Sequence, residues 1–194
     1  MPPQSIAGKI ILLNGASSSG KSSLASEVQA RSSIPFWHYS IDHLKAGGVL
    51  PSERIDRGDF AWPSLRQAFF EGFHRSIPAF AQAGNNLLVE HIIEEARWMD
   101  RLVSLLEPYD VFFVGLHCPV EELERREVHR GDRRIGEARA DYAITHTFGT
   151  YDFELTTTGA VAAQATSLLS AWAERKSPSA FSSMARRNES TSAA

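Results

Sequence analysis

The feature that most constrains the fold is a glycine-rich motif near the start of the chain. Residues 9–24 read KIILLNGASSSGKSSL, in which Gly15, Gly20, Lys21 and Ser22 occupy the fixed positions of Gly-x-x-x-x-Gly-Lys-Ser. A short apolar run precedes the motif, and a stretch typical of a helix follows it. In this strand–loop–helix arrangement, backbone N–H groups converge on a phosphate, and the positive end of the helix points at the same anion. The sequence therefore predicts a site for the phosphates of a nucleotide.

The motif assigns expected contacts to individual residues. We expect the side chain of Lys21 to reach the β- and γ-phosphates and the hydroxyl of Ser22 to bind Mg²⁺. ATP and Mg²⁺ are therefore the expected cofactors. The residues expected to bind the nucleotide are Gly15, Ala16, Ser17, Ser18, Ser19, Gly20, Lys21, Ser22 and Ser23.

Composition excludes several other classes of protein. A chain of 194 residues with 43% apolar and 22% charged residues fits one globular domain. A net charge of −3 gives no electrostatic argument for a nucleic-acid partner. Cys118 is the only cysteine, so no disulfide can form within the chain. No apolar stretch approaches the ~20 residues that span a bilayer, and the N-terminus does not resemble a signal peptide. We expect a cytoplasmic protein without a membrane partner.

Apolar runs alternate with helical patterns along the chain. The predicted strands are Ile10–Asn14, Phe36–Ile41, Asn86–Glu90 and Asp110–His117, with a fifth around Tyr151–Thr156. The predicted helices are Lys21–Arg31, Ser64–Ala83, Glu95–Leu106, Val120–Val128 and Ala160–Lys176. Pro78 is expected to kink the second helix or to start a new turn. This alternation predicts the α/β class, with a five-stranded, mostly parallel sheet covered by helices on both faces. Together with the phosphate-binding motif, it leads us to expect a three-layer α/β/α fold of the P-loop NTPase or nucleoside-kinase kind.

The sequence predicts one folded domain followed by a short disordered tail. Residues 1–176 are predicted to form a single P-loop kinase domain. Residues 177–194 are rich in Ser and Ala and lack sustained apolar periodicity, so we expect them to be a disordered tail outside that domain.

Two acidic residues end predicted strands, where ligands bind in parallel sheets. Asp42 follows the second strand and is a candidate for the base that accepts the proton of an attacking hydroxyl; the alternative is a helix N-cap. Glu90 ends the third strand and is a candidate Mg²⁺ ligand, although it could also be a cap or bind only the loop. His91, the next residue, could donate to a substrate or be an ordinary polar residue at a strand end.

Arginines are concentrated in the segment 125–136, which follows the fourth predicted strand. Arg126, Arg130 and Arg133 are candidates for a lid that stabilises charge on the transferred phosphate. The glycines of this segment could supply the hinges of such a lid. The alternative is a solvated helix with paired charges, because glutamates lie alongside.

Aromatic residues are concentrated in the second strand and in the segment that follows it, between Phe60 and Phe73. Most are expected in the core, but this region lies on the acceptor side of a P-loop kinase, where an apolar pocket would suit an aromatic or amphipathic molecule. Arg54, Arg57 and Arg66 favour the alternative of a substrate that carries a phosphate.

From Lys9 to Thr158, the sequence resembles the chloramphenicol phosphotransferase-like family of P-loop kinases. The matching stretches are ILLNGASSSGKS, IDHL, AGNNLLVE, FVGLHC, ERREVHRGDR and YDFELTTT. The resemblance implies transfer of the ATP γ-phosphate to a primary hydroxyl of a drug-like acceptor, with Asp42 as the base. It also implies Lys21 and Ser22 at the phosphates and Mg²⁺, and Arg126, Arg130 and Arg133 in the lid.

The chain departs from the family pattern at three places. The third strand of the family ends in paired acids, whereas this chain has Glu90 and His91, and Thr156 replaces a late acid. The segment 47–60, which should help to shape the acceptor pocket, matches poorly. The partner is therefore expected to be a small molecule with a hydroxyl group, for which a chloramphenicol-like compound is one candidate.

Two competing functions remain. The first is a kinase for a metabolite such as a nucleoside, a shikimate-like acid or a sugar. The second is an NTP-binding ATPase switch without an acceptor, since the motif alone is shared by many ATPases. The absence of an Asn-Lys-x-Asp element argues against a GTPase.

Overall fold

Five parallel strands form the centre of the computed structural model, which describes residues 6–130 and 135–192. They are β1 (Ile10–Asn14), β2 (Trp37–Ser40), β3 (Leu87–His91), β4 (Val111–His117) and β5 (Phe153–Thr156). The order across the sheet is β2-β3-β1-β4-β5, and every pair of neighbours is parallel. The predicted strands are confirmed with boundary shifts of one or two residues, and the sheet is parallel throughout.

Helices connect the strands and follow the last one. The described residues contain α1 (Lys21–Arg31), α2 (Ile41–Ala46), α3 (Ser52–Asp56), α4 (Trp62–Gln82), α5 (Ala96–Leu106), α6 (Val120–Arg130), α7 (Glu137–Ile144), α8 (Val161–Ala173) and α9 (Ala180–Ser192). The five predicted helices correspond to α1, α4, α5, α6 and α8. The sequence pattern does not predict α3, α7 or α9, and it indicates α2 only as an alternative.

Strand β1 shows how the sheet divides the core into two layers. Ile10 and Leu12 pack with α4, α5 and α9 on one face, whereas Ile11 and Leu13 pack with α1 and α8 on the other. All four side chains are fully buried. A strand that is covered on both faces has a continuous apolar sequence, which is why the strands could be predicted from the sequence. The predicted three-layer α/β/α fold is confirmed.

Helix α4 is longer than predicted and continues through Pro78. It begins at Trp62 with Pro63 in its first turn, a position that needs no N–H donor. The expected new turn at Pro78 is therefore wrong. The lost backbone hydrogen bond is tolerated because Phe73 and Ile77 on the same helix are buried in the core.

Helix α9 contradicts the expectation of a disordered tail for residues 180–192. Phe181 is fully buried, and its ring makes an edge contact with Phe113 of β4 at a centroid distance of 5.2 Å. The carboxylate of Asp152 accepts hydrogen bonds from the backbone N–H of Ala180 at 2.7 Å and of Phe113 at 2.8 Å. A few apolar residues in a serine-rich segment are enough to dock this helix on the sheet.

None of the helices in the described ranges is both long enough and apolar enough to cross a membrane.

Candidate active site

The glycine-rich loop lies between β1 and α1 and needs glycine at two positions. A Cβ atom at Gly15 would lie 2.8 Å from the Ser19 hydroxyl and 2.9 Å from the Leu116 carbonyl oxygen. Gly20 has a φ of +93°, a conformation that is strained for residues with a side chain. The fixed glycines of the motif therefore have a steric reason in this structure.

The serine hydroxyls of the loop indicate an anion site. The Oγ atoms of Ser17, Ser18 and Ser19 are buried, and none has a hydrogen-bond partner within the part of the chain that the structure describes. Buried polar atoms rarely remain without a hydrogen bond, so a cluster of such atoms indicates a place where a ligand binds. A phosphate group at the loop would supply acceptor oxygens, so the residues present fit the nucleotide that the motif implies.

Lys21 holds its ammonium group at the mouth of the loop. The Nζ atom donates to the carbonyl oxygens of Gly15 at 2.7 Å and Ala16 at 2.8 Å, and the residue is 9% exposed. This places a positive charge against the loop and beside the cavity that the loop lines. The charge is where phosphate oxygens would need it.

A hydroxyl and a carboxylate meet beside the loop. The Ser22 Oγ atom donates to Glu90 Oε2 at 2.9 Å, and the ring of His38 forms a hydrogen bond with the other carboxylate oxygen. Burial acts to raise the pKa of Glu90, but the His38 hydrogen bond and the charge of Lys21 outweigh it, and the pKa lies below its ordinary value. Glu90 therefore stays ionised.

The donor set of Ser22 and Glu90 suits Mg²⁺, which takes one or two protein oxygens and completes its shell with water and phosphate. In residues 6–130 and 135–192, no three His, Cys, Asp or Glu side chains cluster in a way that could hold a metal ion without a ligand.

Asp42 lies in the first turn of α2 rather than at the end of β2. The N-cap is Ser40, whose hydroxyl accepts a hydrogen bond from the His43 N–H at 3.1 Å. The N-cap alternative for Asp42 is therefore wrong. Asp42 is exposed and lines the same cavity as the loop.

Residues 125–130 of the arginine segment are helical and form the end of α6. Arg126 crosses the loop: its guanidinium donates to Glu122 at 2.7 Å, to the Thr157 carbonyl at 2.8 Å and to the Ser18 carbonyl at 3.4 Å. Arg130 is the last residue of α6 and lines the cavity. Arg133, which the sequence analysis also selects, lies outside the described residues.

The alternative interpretation of the arginine segment, a solvated helix with paired charges, also applies to part of α6. Arg125 is 70% exposed and pairs with Glu122 at 2.7 Å, as expected for a solvated helix with paired charges. Glu122 thus pairs with two arginines, the exposed Arg125 and Arg126, which also reaches the loop.

One cavity of about 620 Å³ extends from the loop to helix α4. It is lined by residues of the loop, by Asp42 and Glu90, and by Trp62, Arg66 and Phe70 of α4. A space of this size is within the range of small-molecule sites. Trp62 and Phe70 line the cavity, and Phe70 also belongs to the core together with Phe73.

The three arginines considered for phosphate binding are engaged in ion pairs. Arg66 pairs with Glu94 at 2.6 Å and Glu95 at 3.1 Å, and its guanidinium lies over the rings of Phe70 and Trp98. Arg54 and Arg57 pair with Asp59 at 2.9 and 3.5 Å. The residues that line the cavity include Arg66 but not the other two.

His91 forms a buried pair with His74, with their Nε2 atoms 2.7 Å apart. Burial lowers the pKa of His74 to about 4 and lowers the pKa of His91 well below its ordinary value. Both rings are therefore neutral at physiological pH. Because its Nε2 atom binds His74, this nitrogen of His91 already has a partner within the protein.

A residue that sequence reasoning missed contacts the loop directly. The backbone N–H of Ser17 donates to Asp141 Oδ2 of α7 at 2.9 Å. Nearby, the Asn14 amide at the end of β1 donates to the Thr145 carbonyl at 2.8 Å. No motif marks Asp141, because its position beside the loop depends on how a helix more than 100 residues away packs.

Comparison with protein families gives one match over most of the chain. The model of the family described as chloramphenicol phosphotransferase-like protein matches residues 8–173. In Mycobacterium tuberculosis strains H37Rv and CDC 1551, proteins described as "Putative O-phosphotransferase" are 34% identical over 172 residues, which covers 78% of this chain and 76% of each relative.

Solved structures share the fold at lower identity. The APS kinase of Mycobacterium tuberculosis, in complex with AMPPNP and APS, has a TM-score of 0.64 and 20% identity, over 85% of this chain and 97% of that chain. A gluconokinase of Sinorhizobium meliloti has a TM-score of 0.57 and 17% identity, over 88% and 94%. At these identities the likeness establishes the fold.

Proposed function

This chain belongs to the chloramphenicol phosphotransferase-like family, and on that premise we propose that it is an ATP-dependent kinase that phosphorylates a hydroxyl group of a small molecule. The fold is that of P-loop kinases. The relatives described as O-phosphotransferases support a hydroxyl oxygen as the acceptor atom.

The observation that carries the proposal is the shared cavity. The phosphate loop, the Ser22–Glu90 pair and Asp42 face the same space as Trp62 and Phe70. A phosphate donor at the loop and an acceptor beside the aromatic rings would thus meet without crossing solvent. Phosphoryl transfer depends mainly on such positioning and on stabilisation of charge.

We assign the nucleotide side to the loop and α6. Lys21 and the loop N–H groups would hold the phosphates, and the Arg126 and Arg130 guanidinium groups would stabilise charge on the transferred group. Ser22 and Glu90 would hold Mg²⁺, which when bound neutralises part of the phosphate charge. Arg133 remains a proposed member of this set.

We assign the role of base to Asp42. Its carboxylate is in the first turn of α2 and lines the same cavity as Trp62 and Phe70. A carboxylate there would accept the proton of the acceptor hydroxyl and orient its oxygen toward the phosphate.

For the acceptor, the ion pairs favour a molecule without a phosphate group. Arg66 is matched by Glu94 and Glu95, and its guanidinium already stacks on aromatic rings. An anionic metabolite would have to displace these glutamates. Chloramphenicol, which is uncharged and aromatic, is the first acceptor to test, and its phosphorylation would make antibiotic inactivation one activity of the protein.

The test is mass analysis of the acceptor after incubation with ATP and Mg²⁺. A phosphorylated drug, formed only in the presence of the protein, is the expected result. If the drug is unchanged but nucleosides or hydroxylated metabolites are phosphorylated, the assignment of the acceptor is wrong and the kinase remains. ATP hydrolysis that no acceptor stimulates would instead favour an ATPase switch.

A further inference from the structure

The contact between Asp141 and the phosphate loop has no part in the proposed reaction. The Ser17 N–H donates to Asp141 Oδ2 at 2.9 Å, and Asp141 lines the cavity. Backbone N–H groups of such loops are the groups that bind anions. One of them is therefore held by a carboxylate of the protein itself.

Helix α7 does not need this carboxylate to dock beside the loop. At its start, the buried Glu127 carboxylate accepts hydrogen bonds from the N–H groups of Gly136 at 2.7 Å and Ala138 at 2.8 Å. At its end, the Asn14 amide binds the Thr145 carbonyl at 2.8 Å. Contacts at both ends thus fix the helix independently of Asp141.

Apolar packing adds a third attachment. Ala138, one turn before Asp141, is fully buried in a small cluster with Ala16, Cys118 and Leu123. Because Ala16 is itself part of the loop, this packing already holds α7 against it. A neutral side chain at position 141 would keep this packing, so a variant that removes only the charge tests the contact with the Ser17 N–H.

The charge of Asp141 also reaches across the cavity. Burial raises the pKa of Glu94, and the negative charge of Asp141 raises it further, although Arg66 opposes both effects. Because the charge of Asp141 acts on Glu94 across the cavity, it will also act on phosphate groups bound at the loop. Repulsion between the Asp141 carboxylate and a phosphate group at the same loop would weaken nucleotide binding about several-fold or more.

We propose that Asp141 is an internal anion that occupies the Ser17 N–H in the nucleotide-free protein and competes with the phosphates of the nucleotide. Asp141 thereby sets the affinity for nucleotide, and it keeps the Ser17 N–H hydrogen-bonded until a phosphate replaces the carboxylate. This inference rests on the proposed function, since it requires that the loop binds a nucleotide.

The experiment is calorimetric titration of the wild-type protein, Asp141→Asn and Glu137→Gln with ATP and Mg²⁺, in the absence of any acceptor. Asn keeps an oxygen that can accept from Ser17 but removes the charge. Glu137 lies one turn earlier on α7 and lines the same cavity, so its variant removes an equal charge near the loop. We expect Asp141→Asn to bind ATP about ten-fold more tightly and Glu137→Gln to gain clearly less, because the contact with the Ser17 N–H belongs to Asp141.

An affinity of Asp141→Asn equal to or weaker than that of the wild-type protein would overturn the proposal. An equal gain in Glu137→Gln would overturn it too, because the effect would then be one of general charge. If the wild-type protein and both variants bind no nucleotide, the proposed function fails together with this inference. Binding by the wild-type protein with no change in Asp141→Asn rejects only the role of Asp141.

A second measurement needs no variant. The amide resonance of Ser17 in the wild-type protein should shift when nucleotide and Mg²⁺ are added, because the N–H changes its acceptor. A Ser17 resonance that stays in place at saturating nucleotide would show that Asp141 keeps the contact, and it would overturn the competition.

Discussion

The hydroxyl of Ser22 donates a hydrogen bond to the carboxylate of Glu90 at 2.9 Å, which joins the phosphate loop to the end of β3. The parallel register of β1 and β3, which pairs Leu13 with Glu90, brings the two residues together although they are 68 positions apart. The pair is the proposed protein contribution to a metal site.

Replacement of Glu90 by Gln should weaken the Mg²⁺ dependence of nucleotide binding. The amide keeps the size and an acceptor oxygen for Ser22, but it lacks the charge that attracts the ion. We expect about a ten-fold higher Mg²⁺ requirement, measured by titration of ADP at several Mg²⁺ concentrations. Glu94→Gln, which alters the acceptor side of the cavity, is the control and should leave the requirement unchanged. An unaltered requirement in Glu90→Gln would remove Glu90 from the metal site.

Asp42→Asn should slow phosphoryl transfer without weakening ATP binding. The amide cannot accept the hydroxyl proton, and loss of a general base costs about 10²–10⁴-fold in rate. The measurement is kcat with the acceptor at saturation, alongside calorimetry with ATP. The matched control is Asp56→Asn in the short helix α3, which should retain full activity. Unchanged transfer in Asp42→Asn would contradict the role of base.

The buried His74–His91 pair should make the protein less stable in mild acid. The pKa of His74 is about 4 in the folded protein and 6.5 ordinarily. Between these values the unfolded chain binds a proton at this ring and the folded chain does not, so the free energy of unfolding falls as the pH falls. The loss attributable to His74 is about 3 kcal/mol when the pH reaches about 4.

His74→Gln tests this pH dependence because glutamine can still donate to His91 but does not titrate. Urea unfolding at pH values from 7 to 4.5 should show a shallower decline of the free energy in the variant than in the wild-type protein. Parallel declines would show that the pair is protonated in the folded state.

Truncation of Phe181 should destabilise the whole fold. The ring is fully buried against Phe113, and Phe→Ala substitutions at such positions cost about 3–5 kcal/mol. Chemical denaturation of Phe181→Ala, compared with Phe60→Ala at a site 37% exposed, measures this cost. A loss no larger than that of the exposed site would mean that α9 is not part of the cooperative unit.

The fold could be predicted from the sequence wherever burial produces a regular pattern of apolar residues. The strands are continuous apolar runs because both faces of the sheet are covered. The loop motif marks where β1 ends and where α1 begins. Helix α9 was missed because its contact with the sheet depends on few apolar residues, among them Phe181 and Met184, within a serine-rich segment.

The candidate site was predictable in part. Lys21, Ser22 and Glu90 follow from the loop motif and from the rule that parallel strands end at one edge of the sheet. Asp141 could not be found in this way, because its place beside Ser17 arises from the tertiary packing of α7. The N-cap at Ser40 could not be predicted either, because the apolar run predicts a strand up to Ile41 whereas β2 ends at Ser40.

The most direct test of the central claim is acceptor-dependent release of ADP from ATP by the wild-type protein and by Lys21→Ala. Chloramphenicol is the first acceptor, followed by nucleosides, sugars and hydroxylated acids. The account predicts that one acceptor stimulates ADP release by the wild-type protein and that folded Lys21→Ala loses this activity, because the charge that holds the phosphates is gone. Near-normal turnover by folded Lys21→Ala would contradict the assignment of the loop as the ATP site.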